Sequence, residues 1–389
     1  MHIGVDATCW WNERGYGRQA RALVGSMIRT DKSNRYTLFV DSENGLDLLP
    51  KEASIRRVKS TAPAAQAARH DGHRSAPDLC RMSLALSGPG YDALLFPTIY
   101  TYVPVFSRAR KIVFVHDVIP EKFPELTMPK LGPRLLWKAK SAFGRWQADA
   151  IATVSEYSRA AIVKEFGLSA DRVFVVPEAS EKVFRLIGNP AIPAEIAKLG
   201  VAEGSRFVVY VGGFGPHKNV LGLVEAFARA MADSALAGVR LLLVGKHFNE
   251  TFHSGALAVQ DRARSLGIAH AVTFTGFLPD EALANLLNVA SVLVLPSFME
   301  GFGLPAVEAA ACGCPVIATT ESPIPGLLGP AGIYTDPHDT GALERALRGV
   351  LGSEDMRIRM RREGLSAVSR LSWDAAARRM ISLLEEIAA

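Results

Sequence analysis

The chain has 389 residues, 49% of them hydrophobic and 21% charged, with a net charge of +5. That length is too great for one compact core and fits two domains. The composition excludes a disordered, collagen-like or disulfide-stapled chain, and no apolar run reaches the length of a membrane span. The basic balance favours phosphate-bearing ligands or an anionic membrane, and no nucleic-acid-binding module accompanies it. Cys9, Cys80, Cys312 and Cys314 form no C-x-x-C pair, so buried reduced thiols of a cytoplasmic protein are expected.

Met1 to Asp6 reads as the first strand rather than a signal peptide. Further strand patterns follow at Tyr36–Asp41, Ala93–Phe96, Ile112–His116, Ala150–Val154 and Val173–Pro177. A second set lies at Phe207–Val211, Arg240–Val244, Val272–Thr275, Val292–Leu295 and Val316–Ala318. Helical patterns separate them, which predicts an α/β chain with two doubly wound, Rossmann-like parallel sheets. Gly, Pro and Ala accumulate in Leu186–Gly204, the expected boundary between the two sets. Residues 62–77 are the least patterned and are expected as a mobile loop.

Pro129–Asp149 predicts a helix. Lys130, Arg134, Lys138 and Arg145 share one face, and Leu135, Ala139, Phe143 and Trp146 share another. Two readings stand: a solvated basic face over a core face, or a peripheral contact with an anionic membrane.

Residues 292–319 carry the most chemistry. The apolar strand Val292–Leu295 ends at Pro296-Ser297, and a loop follows with Glu300, Gly301 and Gly303. Pro305 suits the first turn of a helix, which should stop near Gly313 before the next strand. A glycine loop at the carboxyl end of a strand and the start of a helix is where open α/β sheets bind ligands. The free N–H groups of Phe302, Gly303 and Leu304, with the helix dipole, would favour an anion there. Glu300 in the loop and Glu308 about a turn into the helix could accept hydrogen bonds from vicinal hydroxyls. For Glu308 alone, a helix-start acid placed for dipole reasons is the other reading.

The string P-S-x-x-E-G-F-G-L-P-x-x-E-A-x-A-x-G-x-P-V-I-A, unbroken from Pro296 to Ala318, resembles the E-x7-E segment of glycosyltransferase family 4, retaining enzymes of the GT-B fold. The resemblance implies two Rossmann-like domains facing across a cleft. An acceptor domain would span 1–190, completed by a C-terminal helix, 373–389, that crosses back onto it. A nucleotide-sugar donor domain would span 200–372. It also places Glu300 at the transferring sugar and Glu308 at the nucleotide ribose.

Other segments take roles from the same likeness. Val209–Asn219 is a strand end followed by a glycine turn, and Lys218 can neutralise a diphosphate as a point charge. The family usually has an Arg directly after the first glycine; Gly213 stands in its place. Gly276 and Phe277, after the Val272–Thr275 strand, join the donor-binding set. Gly17, in Glu13-Arg14-Gly15-Tyr16-Gly17-Arg18, takes the place of a glycine loop over the donor phosphates, the other reading being a structural turn. His116-Asp117 ends a strand where the family's first-domain H-D faces the donor sugar. Thr153–Ser158 and Val176-Pro177-Glu178 match two further landmarks, although the usual Asn-Gly after that proline is Glu178-Ala179 here.

No D-x-D occurs, so no metal is implied, nor any cofactor beyond the donor substrate. The resemblance implies a retaining, metal-independent hexosyltransferase of polysaccharide biosynthesis. It would move a mannose- or glucose-type sugar from a nucleotide diphosphate sugar to a glycan or lipid-linked acceptor, with Glu300, His116 and Lys218 as catalytic residues. The setting expected is cytoplasmic, with the inner membrane face as a peripheral site. Two rival readings are a GT-B protein that binds nucleotide diphosphates without transferring sugar, and an NAD-dependent dehydrogenase built on Gly15 and Gly17.

Overall fold

A computed structural model describes residues 1–13, 15–64, 75–245 and 255–389. Most of the loop expected over 62–77 lies outside the described residues. The chain divides into two units, Met1–Glu178 with Ser372–Ala389, and Ala179–Leu371. The division falls upstream of the 186–204 stretch. That stretch belongs to the second unit because Asn288 holds it: Asn288 Oδ1 accepts from Ile187 N at 2.9 Å, and its Nδ2 donates to Arg185 O at 2.9 Å.

The first unit contains β1 (His2–Asp6), β2 (Arg35–Val40), β3 (Ser54–Arg57), β4 (Ala93–Phe96), β5 (Arg110–Phe114), β6 (Ala150–Thr153) and β7 (Val173–Val175). They form one parallel sheet in the order β3-β2-β1-β4-β5-β6-β7. Ile3, Val5, Leu94, Leu95, Ile112 and Val113 are fully buried, as expected for strands covered on both faces. Helices α1 (Gly15–Thr30), α2 (Ala76–Leu86) and α3 (Leu131–Gln147) are among the connections.

The second unit contains β8 (Phe207–Val211), β9 (Arg240–Val244), β10 (Val272–Gly276), β11 (Val292–Leu295), β12 (Val316–Thr319) and β13 (Gly332–Thr335). This sheet is also parallel, in the order β10-β9-β8-β11-β12-β13. Helix α4 (Val220–Ala230) follows β8, and α5 (Leu304–Ala311) follows β11. The final helix, α6 (Trp373–Ala388), packs on α1 in the first unit. Met380 and Leu384 of α6 and Leu23 and Met27 of α1 are all buried, and Ser26 Oγ donates to Asp374 Oδ1 at 2.5 Å.

The sequence reading missed β3 and β13. Both lie at sheet edges, where a strand covers little apolar surface and shows no apolar run. Every residue of β3 is exposed. Two other expectations need correction. Cys80 is exposed, while Cys9, Cys312 and Cys314 are buried thiols. In α3 the face read as core is turned outward: Leu135 and Trp146 are exposed, and the buried positions are Ser141 and Gly144. The inner face is small because the wall behind it is aromatic. A Cβ on Gly144 would stand 3.2 Å from the Tyr102 ring.

Candidate active site

The strand order of the second unit sets the site. From β8 the chain runs to β9 and β10 on one side, then returns to place β11 on the other side of β8, with Val292 opposite Val208 and Leu293 opposite Val209. The connections after β8 and β11 therefore diverge at the carboxyl ends of adjacent strands. This is the switch point at which doubly wound sheets open a binding crevice.

Both loops send charged groups there. After β8, a turn at Pro216–Lys218 ends on Asn219, which adopts the left-handed conformation at φ 53°. Asn tolerates that region better than most residues. Its side chain is tied to two other loops: Nδ2 donates to Pro296 O at 3.1 Å and to Pro337 O at 2.8 Å. The adjacent Lys218 reaches Glu300 in the loop after β11, with Nζ 2.8 Å from Oε1. Ser297 Oγ donates to the same oxygen at 2.6 Å, and Glu300 N donates to Glu321 O at 3.0 Å. Burial alone would raise the Glu300 pKa. The charge and hydrogen bond of Lys218, with the Ser297 hydroxyl, outweigh it and hold the group below the ordinary carboxylate range. Glu300 is thus a buried, ionised, fixed carboxylate.

His217 completes the cluster. Burial first, then the neighbouring Lys218 charge, push its pKa down to about 4 against the opposing pull of Glu300, so the imidazole is neutral at pH 7. Its Nδ1 is buried with no hydrogen-bond partner among the described residues.

Helix α5 begins after Gly303, whose φ of 85° and lack of a side chain are both required: a Cβ there would come within 2.6 Å of Ile324 Cδ1. The residue at the N-cap, Gly303, has no side chain to cap this helix start, and no side-chain cap is found among the described residues. Phe302 and Leu304 are buried beside it. Glu308 sits in the second turn of α5, wholly buried. Gly213 follows β8, and its carbonyl accepts from the Tyr210 hydroxyl. Gly276 ends β10 at φ 78°, its carbonyl accepting from Gly245 N at 3.0 Å, and Phe277 beside it is exposed.

In the first unit, His116 lies two residues past the end of β5, since the strand stops at Phe114. Both ring nitrogens are buried without a hydrogen-bond partner among the described residues, and burial holds the pKa down to about 4. Asp117 Oδ1 accepts from Ile119 N at 2.9 Å, which fixes a local turn. Gly17 is buried in the first turn of α1, where a Cβ would stand 2.0 Å from Asn12 O; close backbone packing demands glycine. Between β1 and α1 lie residues 7–14, whereas a dinucleotide fingerprint needs its glycines directly at the strand end.

The structure therefore brings Lys218, Glu300 and α5 together at one switch point, and holds His116 and Gly17 in the other unit. Sequence reasoning assigned no role to Ser297, Asn219 or His217. Ser297 was findable, as a hydroxyl three residues before the loop acid. The others are recognised only by which loops they join.

Residues 191–367 match the model of the family described as glycosyl transferases group 1. The group 1 match lies wholly within the second unit and includes Lys218, Glu300 and Glu308. Among curated relatives, O-antigen chain mannosyltransferase B of Escherichia coli is 29% identical over 227 residues, 58% of this chain and 58% of that protein. The chain spans about half the length of the curated relatives it matches. Among solved structures, sucrose-phosphate synthase from Thermosynechococcus elongatus superposes with a TM-score of 0.75 at 19% identity, over 99% of this chain and 98% of that one. HepE from Anabaena in complex with UDP-glucose gives 0.74 at 17% identity, over 99% of both chains. At these identities the likeness is one of fold, and the fold is GT-B: two parallel-sheet, Rossmann-like α/β domains.

Proposed function

We propose that this chain is a retaining hexosyltransferase of glycosyltransferase family 4, of the E-x7-E type. It would transfer a mannose- or glucose-type sugar from a nucleotide diphosphate sugar to a glycan or lipid-linked acceptor without a metal. The observation that carries the reading is the Lys218–Glu300 pair at the β8/β11 switch point, 2.8 Å apart beside an uncapped helix start. The O-antigen mannosyltransferase relative and the UDP-glucose complex of HepE support the donor class.

In the reaction the bond between the sugar's anomeric carbon and the diphosphate oxygen breaks, and the electron pair leaves with the diphosphate. The acceptor hydroxyl oxygen bonds to the anomeric carbon on the face being vacated, and its proton passes to a diphosphate oxygen. Negative charge grows on the leaving group, where the first-turn N–H groups of α5 and the Lys218 ammonium are already oriented to receive it. Glu300, held ionised, orients the sugar hydroxyls and stabilises the positive charge that grows at the anomeric carbon. Glu308 serves the ribose. Gly213, Gly276 and Phe277 line the donor side, and His116 and Gly17 serve from the first unit. His116, neutral at pH 7, can donate to a sugar hydroxyl without adding charge.

A thermal-shift panel of GDP, UDP, GDP-mannose, UDP-glucose and NAD, followed by release of nucleotide diphosphate with and without EDTA, tests the reading. Stabilisation by one nucleoside diphosphate and its sugar, with EDTA-resistant turnover, is expected. Stabilisation by NAD alone, or donor binding with no turnover across an acceptor panel, would replace it with one of the two rival readings.

A further inference from the structure

Helix α3 is built inside out. Its buried positions are Ser141 and Gly144, and Trp137, half-buried, donates from Nε1 to Glu121 Oε1 at 2.8 Å. Its large apolar residues point to solvent: Leu131 is 71% exposed, Leu135 66%, Leu136 58% and Trp146 73%. On a helical projection, positions 131, 135, 139, 142 and 146 fall in one stripe. The stripe is about 22 Å long at about 1.5 Å per residue.

The apolar surface continues past the helix end. Gln147 binds Val105 by both amide groups, Oε1 accepting from Val105 N at 2.9 Å and Nε2 donating to Val105 O at 3.0 Å. This ties the segment that carries Phe106, 75% exposed, to the carboxyl end of the helix that carries Trp146. Phe106 N donates to Ser87 Oγ at 2.9 Å, and Ser83 Oγ donates to Pro104 O at 2.6 Å. Those bonds place exposed Leu84, on α2, in the same region. An apolar surface of this kind on a folded domain marks an interaction site.

Charge identifies the partner. Residues 131–147 include Arg134, Lys138, Lys140 and Arg145 and no acid. Arg145 lies over the Phe166 ring at 3.5 Å, Lys140 donates to Tyr100 O at 2.6 Å, and Arg134 stands 3.7 Å from Glu125. Lys130 and Lys138 are left exposed along the edge of the stripe. A second copy of the chain docking face to face would set two such helices together, like charge against like. An anionic lipid surface offers the opposite charge and an apolar layer at the depth the leucines and tryptophan need.

We propose that the outward face of α3, with Phe106 and Leu84 beside it, lies on an anionic lipid bilayer. Leu131, Leu135 and Trp146 insert at the headgroup boundary, and Lys130 and Lys138 meet the phosphates. The inference stands on the first unit alone and does not depend on the transferase reading.

The test is co-sedimentation of the full chain with vesicles of phosphatidylcholine, with and without about 30% phosphatidylglycerol, at about 0.1 M and about 0.5 M NaCl. Binding is expected with phosphatidylglycerol at low salt, and weakly or not at all with phosphatidylcholine. The double variant Leu135→Ser, Trp146→Ser should bind at least tenfold more weakly. Lys130→Gln and Lys138→Gln should each weaken binding roughly fivefold. Should the serine variant unfold, the lysine variants carry the test, since both are fully surface changes. Failure of the wild-type chain to sediment, equal binding by the lysine variants, or a solution dimer that the serine variant splits would each overturn the proposal.

Discussion

Removing the Lys218 ammonium tests whether the pair at the switch point is energetically real. At 2.8 Å, and with an effective dielectric of about 20, the gross attraction of two unit charges is about 6 kcal/mol. Both groups give up hydration to form the pair, and that takes back more than half of it. Hydrogen bonds to charged groups net about 1.5–3 kcal/mol. In a domain of this size each kcal/mol moves the unfolding midpoint by about 2–4 °C. Lys218→Met should therefore lower the midpoint of the second unit by about 3–12 °C at pH 7. The variant leaves Glu300 buried with the Ser297 hydroxyl as its side-chain partner, and burial then raises its pKa above the unfolded value. A raised carboxylate pKa stabilises below the unfolded pKa and loses that contribution as pH rises. The deficit against wild type should therefore be largest at neutral pH and shrink in acid. Calorimetry on Lys218→Met, Glu300→Gln and the double variant closes a thermodynamic cycle, with an expected coupling of about 1.5–3 kcal/mol. Additivity within about 0.5 kcal/mol would refute the pair as anything more than a contact of convenience.

Glu300→Gln should abolish transfer while leaving nucleotide affinity nearly intact, because the proposed role gives it a contact to the sugar in the transition state; a variant with most of its turnover would remove Glu300 from the mechanism. Glu308→Ala should weaken binding of the free nucleotide in isothermal titration, and unchanged affinity in a folded variant would reduce it to a buried helix acid. His116 and His217 are each held at about 4 by burial, below the ordinary value of about 6.5. The unfolded chain binds those protons first, so stability should fall as pH drops from about 6.5 to 4, with a slope of up to about 1.4 kcal/mol per pH unit for each histidine. The Glu300 contribution, from a depressed pKa, is lost only as pH falls below the ordinary carboxylate value. Denaturant titrations from pH 7 to 4.5 check this: His217→Gln should flatten the slope, and a flat wild-type profile would show that the rings are solvated.

Sequence pattern exposed the sheets because their strands are continuous apolar runs, such as Val292–Leu295, that can only be buried on both faces. It failed at β3 and β13, which lie at sheet edges and need no such run. It failed in a different way at α3. Periodicity identifies an apolar face but not the direction in which it points, and at Gly144 even a Cβ would stand 3.2 Å from the Tyr102 ring. At the candidate site, the loop acid and the lysine were legible as residue types in glycine turns. Their mutual contact was not, because it depends on β11 pairing with β8 rather than with β10. Asn219 shows the same limit: its role is to bind the carbonyls of Pro296 and Pro337, a fact of topology with no local signal.

The pairing of α6 with α1 has a consequence for how the protein is made. Ser26 and Asp374, in hydrogen-bond contact, leave the ribosome 348 residues apart. Until residues 372–389 emerge, α1 lacks the helix that packs on it, so the first unit is completed only after the second has been made. The second unit is contiguous and can close earlier. A pause or truncation anywhere after Glu178 leaves an open apolar seam on the amino-terminal unit. The nascent chain thus carries that seam exposed while the whole of Ala179–Leu371 is made, a natural point for chaperone engagement.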